Sequence, residues 1–200
     1  MIPELTLILG PMFAGKSTYL INKANQLLAN GANENEIMLI NHSSDMRYDT
    51  NKICSHNGEK INSKALNTLS NIVNNIIRND SIYSSIKYIF IDEGQFFNDL
   101  YQSIKTLLMH YSTLENSNNN NSKLEIFISG LDGDYKQEPF LNSRILELIP
   151  YSTYITKLNA KCSKCGNIAP FTKRIVNSSE TILIGGAEDY QPVCISHLHN

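Results

Sequence analysis

Long apolar runs are missing from this sequence: no stretch approaches the roughly 20 residues that a membrane-crossing helix needs. Net basic charge is missing too, since 17 Lys and Arg against 19 Asp and Glu give a formal charge of -2 and a pI near 6.2. A helical membrane span is therefore excluded, and so is the global basic field that attracts nucleic acid or an acidic membrane surface. The start of the chain lacks a basic n-region and carries Glu4 ahead of its first apolar run, which argues against a secretory signal. Cysteine is scarce: Cys54, Cys162, Cys165 and Cys194, with three of the four crowded toward the C-terminus. In a reducing compartment that clustering points to metal rather than to disulfides. The expectation is a soluble cytoplasmic protein with no membrane partner and no nucleic-acid partner.

What is present fits one globular core with a small appendage: 200 residues, 42% hydrophobic and 18% charged. Gly10-Pro11-Met12-Phe13-Ala14-Gly15-Lys16-Ser17 matches G-x-x-x-x-G-K-[ST]. An apolar run, Leu5-Thr6-Leu7-Ile8-Leu9, precedes it and a helical pattern over 17–30 follows it. That context matters because the loop must wrap its N–H groups around phosphates at a helix N-terminus. Lys16 then reaches the β- and γ-phosphates, and the Ser17 hydroxyl holds Mg²⁺. A nucleoside triphosphate site is expected.

Beyond the loop, Leu20, Ile21, Ala24, Leu27 and Leu28 keep helical spacing up to Gly31, which suits a C-terminal cap. Residues 37–40, 88–91 and 124–129 read as buried strands, 154–158 as a last core strand, and 69–78, 99–111 and 144–149 as helices. The polar stretch 41–60 reads as a long irregular excursion and the Asn run 116–121 as a disordered loop tip. Alternating strand and helix implies an α/β fold with a mostly parallel sheet covered on both faces. Composition shifts after Leu158, which divides the chain into a nucleotide-binding domain, 1–158, and a metal-binding domain, 159–200. No internal repeat is visible.

Asp92-Glu93 sits at the C-terminal end of a hydrophobic strand, where ligands of open α/β sheets collect. Asp92 suits a magnesium-organising role. Glu93, pointing elsewhere, can take a proton from an acceptor hydroxyl or can simply cap the next loop. Cys162-x-x-Cys165 and Cys194-x-x-His197 form a closed Cys₃His set for structural zinc, with His199 a competitor for the fourth position. Between these pairs, Gly185-Gly186 lets backbone approach a ligand or makes an ordinary turn, and Tyr190 offers a ring and a hydroxyl. Arg47, in Asp45-Met46-Arg47-Tyr48, can pair with phosphate, although spacing alone favours a solvated side chain.

Together these segments, with Ile91-Asp92-Glu93-Gly94-Gln95-Phe96-Phe97, Gly130-Leu131-Asp132-Gly133-Asp134-Tyr135, Thr172-Lys173-Arg174 and Gly185-Gly186-Ala187-Glu188-Asp189-Tyr190, resemble the type II, zinc-containing thymidine kinases in order and over nearly the whole chain. The resemblance implies a RecA-like P-loop core and a small C-terminal zinc-ribbon or lasso domain. It also implies ATP with Mg²⁺, a structural Zn²⁺, thymidine as substrate, feedback by dTTP, and a homotetramer. By motif, Glu93 resembles the catalytic base, with Lys16 and Arg47 as phosphate-charge stabilisers. Gly10, Pro11, Met12, Phe13, Ala14, Gly15, Lys16, Ser17, Thr18 and Asp92 resemble the nucleotide site, Ser17 and Asp92 holding magnesium. The substrate set implied is Met12, Leu131, Tyr135, Phe140, Thr172, Thr181, Ile182, Leu183, Ile184, Gly185 and Tyr190. Tyr135 stands where many relatives have Phe, and His197 where many have Cys. A DNA-stimulated P-loop ATPase with a zinc ribbon is the reading from a different class.

Overall fold

A computed structural model describes residues 3–44, 52–54, 58, 60–114, 123–177, 183 and 185–199. Arg47, Thr181, Ile182, Ile184 and the Asn run 116–121 lie outside the described residues.

Six strands form one sheet: β1 (Glu4–Leu9), β2 (Ile37–His42), β5 (Lys64–Leu66), β6 (Tyr88–Ile91), β7 (Glu125–Gly130) and β8 (Tyr154–Lys157). Their order is β5-β2-β6-β7-β1-β8, and every neighbouring pair is parallel. Parallel strands buried on both sides need apolar side chains at successive positions, which is what β1, β6 and β7 supply. Leu5, Leu7, Leu9, Ile89, Ile91, Ile126 and Ile128 face one layer, packing with Ile72, Val73 and Ile76 of α2 (Ser70–Ile77) and Leu100, Ile104 and Leu107 of α3 (Leu100–Leu114). Ile8, Phe90 and Phe127 point the other way, onto Leu20 and Ala24 of α1 (Lys16–Ala29). Phe90 and Phe127 stack there at a centroid distance of 4.7 Å.

The turn into α1 requires Gly15, which sits in the left-handed region at φ 83°. At the far end, the N–H of Gly31 bonds the Leu28 carbonyl and that of Ala32 the Leu27 carbonyl, the Schellman pattern expected of a Gly in that place.

Several segments differ from the reading of the sequence. The stretch 41–60 is not wholly irregular, because β3 (Lys52–Cys54) pairs antiparallel with β4 (Lys60–Asn62), with Ile53 opposite Ile61 and Ile53 buried. Three-residue strands are too short to carry an alternation signal. The segment 154–158 supplies an edge strand rather than a core one: Tyr154 is 58% exposed and Ile155 48%. The helix expected at 144–149 is a 3₁₀ helix, Ile145–Tyr151, that accommodates Pro150.

After β8 the chain builds two small antiparallel ribbons, β9 (Ala160–Lys161) with β10 (Ile168–Ala169), and β11 (Phe171–Arg174) with β12 (Tyr190–Val193). They enclose a core of their own, Ala160, Cys162, Ala169, Val193, Cys194 and Leu198, against which Phe13 and Ala14 of the phosphate loop pack. Among the described residues no helix is long and apolar enough to cross a membrane.

Candidate active site

The glycine-rich loop lies between β1 and α1, at the carboxyl ends of the central strands. Lys16 is buried, and its Nζ donates to the Pro11 carbonyl at 2.7 Å. Beside it, at the end of β6, Asp92 is buried too, its Oδ1 accepting the Ser129 hydroxyl and, at 3.1 Å, the Glu93 N–H. Burial first, and then the neighbouring Glu93 charge, push the Asp92 carboxyl up to about 6. Hydrogen bonds from Ser129 and Ser17 and the Lys16 charge act in the other direction. A buried carboxylate bonded to the Ser17 hydroxyl and facing Lys16 is a donor set that fits a hard divalent cation.

Glu93 leaves the strand in a left-handed conformation, φ 52° and ψ 44°, and so diverges from Asp92. It occupies the cap position of the 3₁₀ turn Gly94–Phe96, yet its side chain makes no capping bond. Instead its Oε2 accepts from Gln95 Nε2 at 2.5 Å. Gln95 Oε1 accepts the Leu131 N–H at 3.0 Å, which fixes the side-chain amide and aims its NH₂ at Glu93.

Two cavities meet here. Met12, Phe13, Gly15, Lys16, Ser17, Thr18 and Glu93 line one of about 370 Å³ along the phosphate loop. The other, about 500 Å³ counting its open mouth, is walled by Met12, Glu93, Gln95, Phe96, Leu131, Gly133, Asp134, Tyr135, Phe140, Thr172, Leu183, Gly185 and Tyr190. Among the described residues, Met12 and Glu93 alone belong to both lining sets. Of the expected substrate residues, Met12, Leu131, Tyr135, Phe140, Thr172, Leu183, Gly185 and Tyr190 come together around the second cavity.

Gln95, Phe96, Gly133 and Asp134 line that cavity without having been singled out, although all four stand inside the motif segments. Asp134 holds its loop by accepting the N–H groups of Lys136 at 2.7 Å and Glu138 at 3.0 Å. Gly185 has a local reason to lack a side chain: a Cβ there would fall on the Asp189 side chain down to its own Cβ, whereas one on Gly186 would meet only the flexible carboxylate end of Glu188. The Gly186 N–H donates to Glu188 at 3.0 Å, and its carbonyl accepts from Asp189 and Tyr190.

The β11–β12 ribbon separates this cavity from the sulfur cluster. Side chains alternate along a strand, so Thr172 and Arg174, with Tyr190 directly opposite Arg174, share one face. On the other face, Phe171 packs into the small core and Lys173 Nζ donates to the His197 carbonyl at 3.2 Å. There the ligand atoms of Cys162, Cys165, Cys194 and His197 all lie within 4.8 Å of one another. Cys165 and Cys194 sulfurs are 3.7 Å apart, and His197 Nδ1 stands 3.2 Å from Cys194 Sγ and 3.6 Å from Cys162 Sγ. A tetrahedron with zinc–sulfur bonds of about 2.3 Å has edges of roughly 3.8 Å, so these separations are of the size a bound zinc needs. Burial pushes the Cys162 thiol up, but the N–H groups of Cys194, Lys164 and Cys165 outweigh it and bring the thiol down to about 6, toward the thiolate a metal needs. The 3₁₀ turn Ile195–His197 directs His197, not His199, into the cluster.

A phosphate loop, a buried carboxylate beside it, and a second cavity bordered by a glutamate that Gln95 holds in place define a P-loop nucleotide-binding protein of the phosphotransferase kind. A thymidine kinase family model matches residues 3–198. The chain is 35% identical to a thymidine kinase of Oryza sativa subsp. japonica over 97% of its own length and 65% of that protein's. It is 34% identical to thymidine kinase a of Arabidopsis thaliana over 95% and 72%, and 33% identical to the thymidine kinase of Myxoma virus (strain Uriarra) over 96% and 93%. The chain belongs to the thymidine kinase family.

Proposed function

We propose that this chain transfers the γ-phosphoryl group of ATP to the 5′-hydroxyl of thymidine, and less efficiently of deoxyuridine, in pyrimidine deoxynucleotide salvage. The observation that carries the reading is Glu93, a residue that borders both the phosphate-loop cavity and the second cavity. A group so placed can take the proton of a hydroxyl in one cavity as that oxygen attacks a phosphorus held in the other. Gln95 keeps the carboxylate aimed, and the loop N–H groups with Lys16 hold the phosphates. Ser17 and Asp92 would hold magnesium, which when bound neutralises charge on the β- and γ-phosphates. Arg47 is assigned to the transferring phosphate by the motif resemblance.

In the second cavity, Met12, Leu131, Tyr135 and Phe140 would enclose the base, with Leu183, Gly185 and Tyr190, together with Thr181, Ile182 and Ile184, closing over it. The Cys₃His cluster would hold a structural zinc that pins this segment, and the boundary between core and zinc-bearing domain falls after Leu158. A homotetramer, inhibition by dTTP and a cytoplasmic location complete the proposal. ATP turnover measured with thymidine, deoxyuridine, deoxycytidine and single-stranded DNA tests it, with thymidine expected to stimulate most. Stimulation by DNA alone would overturn the assignment. That second reading has little in its favour, since among the described residues no Lys or Arg lines the larger cavity.

A further inference from the structure

Arg174 lines neither cavity, yet it joins two residues that line the larger one, Tyr135 from the loop after β7 and Tyr190 from the ribbon. Its guanidinium carbon stands 3.8 Å from the centroid of the Tyr135 ring, on the core side. Its Nη2 and Nε donate to the Tyr190 hydroxyl, on the ribbon side, at 2.9 and 3.3 Å. The same hydroxyl donates to the Leu183 carbonyl at 2.7 Å. A phenol has one proton to give and two lone pairs to receive with, and here all three are engaged within the protein. The Tyr190 hydroxyl is thereby committed to holding the ribbon and the Leu183 backbone together. What Tyr190 presents to a ligand is its ring.

We infer that Arg174 is a positioning residue for nucleoside binding: it fastens Tyr135 on the core wall to Tyr190 and Leu183 on the ribbon side, and so fixes the width of the cavity between them. The inference rests on the larger cavity being the nucleoside site. A guanidinium suits this task because it is planar. It stacks face-on against one aromatic ring while its edge donates two hydrogen bonds to another group. An ammonium is a point charge and cannot do both at once, so Lys at this position satisfies one wall and loses the other. Width held in this way bears on how tightly a flat base is sandwiched, and less on Glu93 and the phosphate loop, which Arg174 does not border.

The test compares Arg174→Ala, Arg174→Lys, Tyr135→Leu and the Arg174→Ala/Tyr135→Leu pair with the unaltered full chain. Readouts are steady-state kinetics, calorimetric titration with thymidine and with ATP, zinc content, and backbone hydrogen exchange without ligand. Arg174→Ala should raise KM for thymidine about 10- to 50-fold while changing kcat by no more than about 3-fold, with Arg174→Lys closer to Ala than to Arg. Exchange in peptides spanning 183–190 should quicken in the ligand-free variant, and ATP affinity and zinc content should hold. In the Tyr135→Leu background the Arg174 change should cost at most about 3-fold, because the shared contact is already gone. An undiminished effect there overturns the inference, as does unaltered exchange at 183–190, or a fall in ATP affinity and zinc content that matches the fall in thymidine affinity. Should the unaltered chain fail to bind thymidine, the nucleoside reading falls, and the exchange measurement still decides whether Arg174 fastens the two walls.

Discussion

Thr172 Oγ1 accepts the backbone N–H of Met12 at 2.9 Å, across a buried gap between two segments 160 residues apart in sequence. Met12 belongs to the phosphate loop and borders both cavities, while Thr172 sits on the ribbon whose far side packs toward the cysteine cluster. One side-chain hydroxyl thus couples the nucleotide site to the C-terminal unit.

Thr172→Val keeps the shape and removes the acceptor, leaving a buried N–H without its partner at a cost of about 1–3 kcal/mol. Affinity for ATP and for thymidine should fall together, each by roughly tenfold, and Thr172→Ser should restore most of it. Calorimetric titration of the three proteins checks this, and a loss confined to one ligand would show that the bond serves a single site.

Glu93→Gln keeps the size of the side chain and can still accept from Gln95 through its amide oxygen, but it cannot take a proton. kcat should fall by about 10²-fold or more, with ATP binding retained. Gln95→Leu leaves the carboxylate chemically intact but unaimed, so its loss of kcat should be smaller. Near-normal turnover of Glu93→Gln would reassign that residue to a structural role.

The phosphate loop was legible in the sequence because its pattern is local and bracketed by a strand and a helix. The cysteine pairs were legible because metal ligands recur at short spacing. The choice between His197 and His199 was not, since it depends on a 3₁₀ turn that folds Nδ1 back to 3.2 Å from Cys194 Sγ. Gln95 escaped notice for a similar reason. A lone Gln after an acidic pair reads as loop surface, and only the left-handed turn at Glu93 brings it beneath the carboxylate, where it is buried. Gly185-Gly186 leaves two readings open in the sequence, approach to a ligand and an ordinary turn, and in the structure Gly185 borders the larger cavity while the Gly186 polar groups bond within the turn. β3 and β4 are pairings of three residues each, below the length at which periodicity speaks.

Elemental analysis should find one zinc per chain, and its removal should affect the small core before the sheet. Ligand binding energy at such a site is also folding energy. Cys165→Ser and His197→Ala should lose metal and weaken thymidine binding while ATP still binds, because the central sheet and phosphate loop take no ligand from the cluster. His199→Ala should retain zinc. Metal lost from His199→Ala and kept in His197→Ala would reverse the assignment.

Gly10 lies against the strand edge: a Cβ there would stand 2.5 Å from the Leu158 carbonyl oxygen, a backbone atom that cannot swing away. Gly10→Ala must therefore displace either the phosphate loop or the end of β8. Overpacking of this kind costs about 1–3 kcal/mol, and thermal unfolding with ATP titration should register both a lower midpoint and weaker nucleotide binding. Unchanged ATP affinity would mean that the strand yields and the loop does not.

Base specificity follows from what a fixed wall of main-chain groups can read. Thymine offers an N3–H donor flanked by two carbonyl acceptors, whereas cytosine offers an N3 acceptor beside an amine donor, so a backbone pattern matched to one is mismatched to the other. In this cavity the Gly186 polar groups are already used within the turn and the Leu183 carbonyl already accepts the Tyr190 hydroxyl, so Gly185 is the main-chain reader the prediction rests on. A site built on buried hydrogen bonds rejects the wrong analogue by as much as about 10⁴-fold, because its own groups are left unpaired. Deoxyuridine keeps the polar edge and lacks only the 5-methyl, a difference of about 1–3 kcal/mol. kcat/KM should therefore run thymidine, then deoxyuridine, with deoxycytidine far behind. Efficient phosphorylation of deoxycytidine would sink main-chain readout and shift the chain toward a kinase of broad deoxynucleoside range.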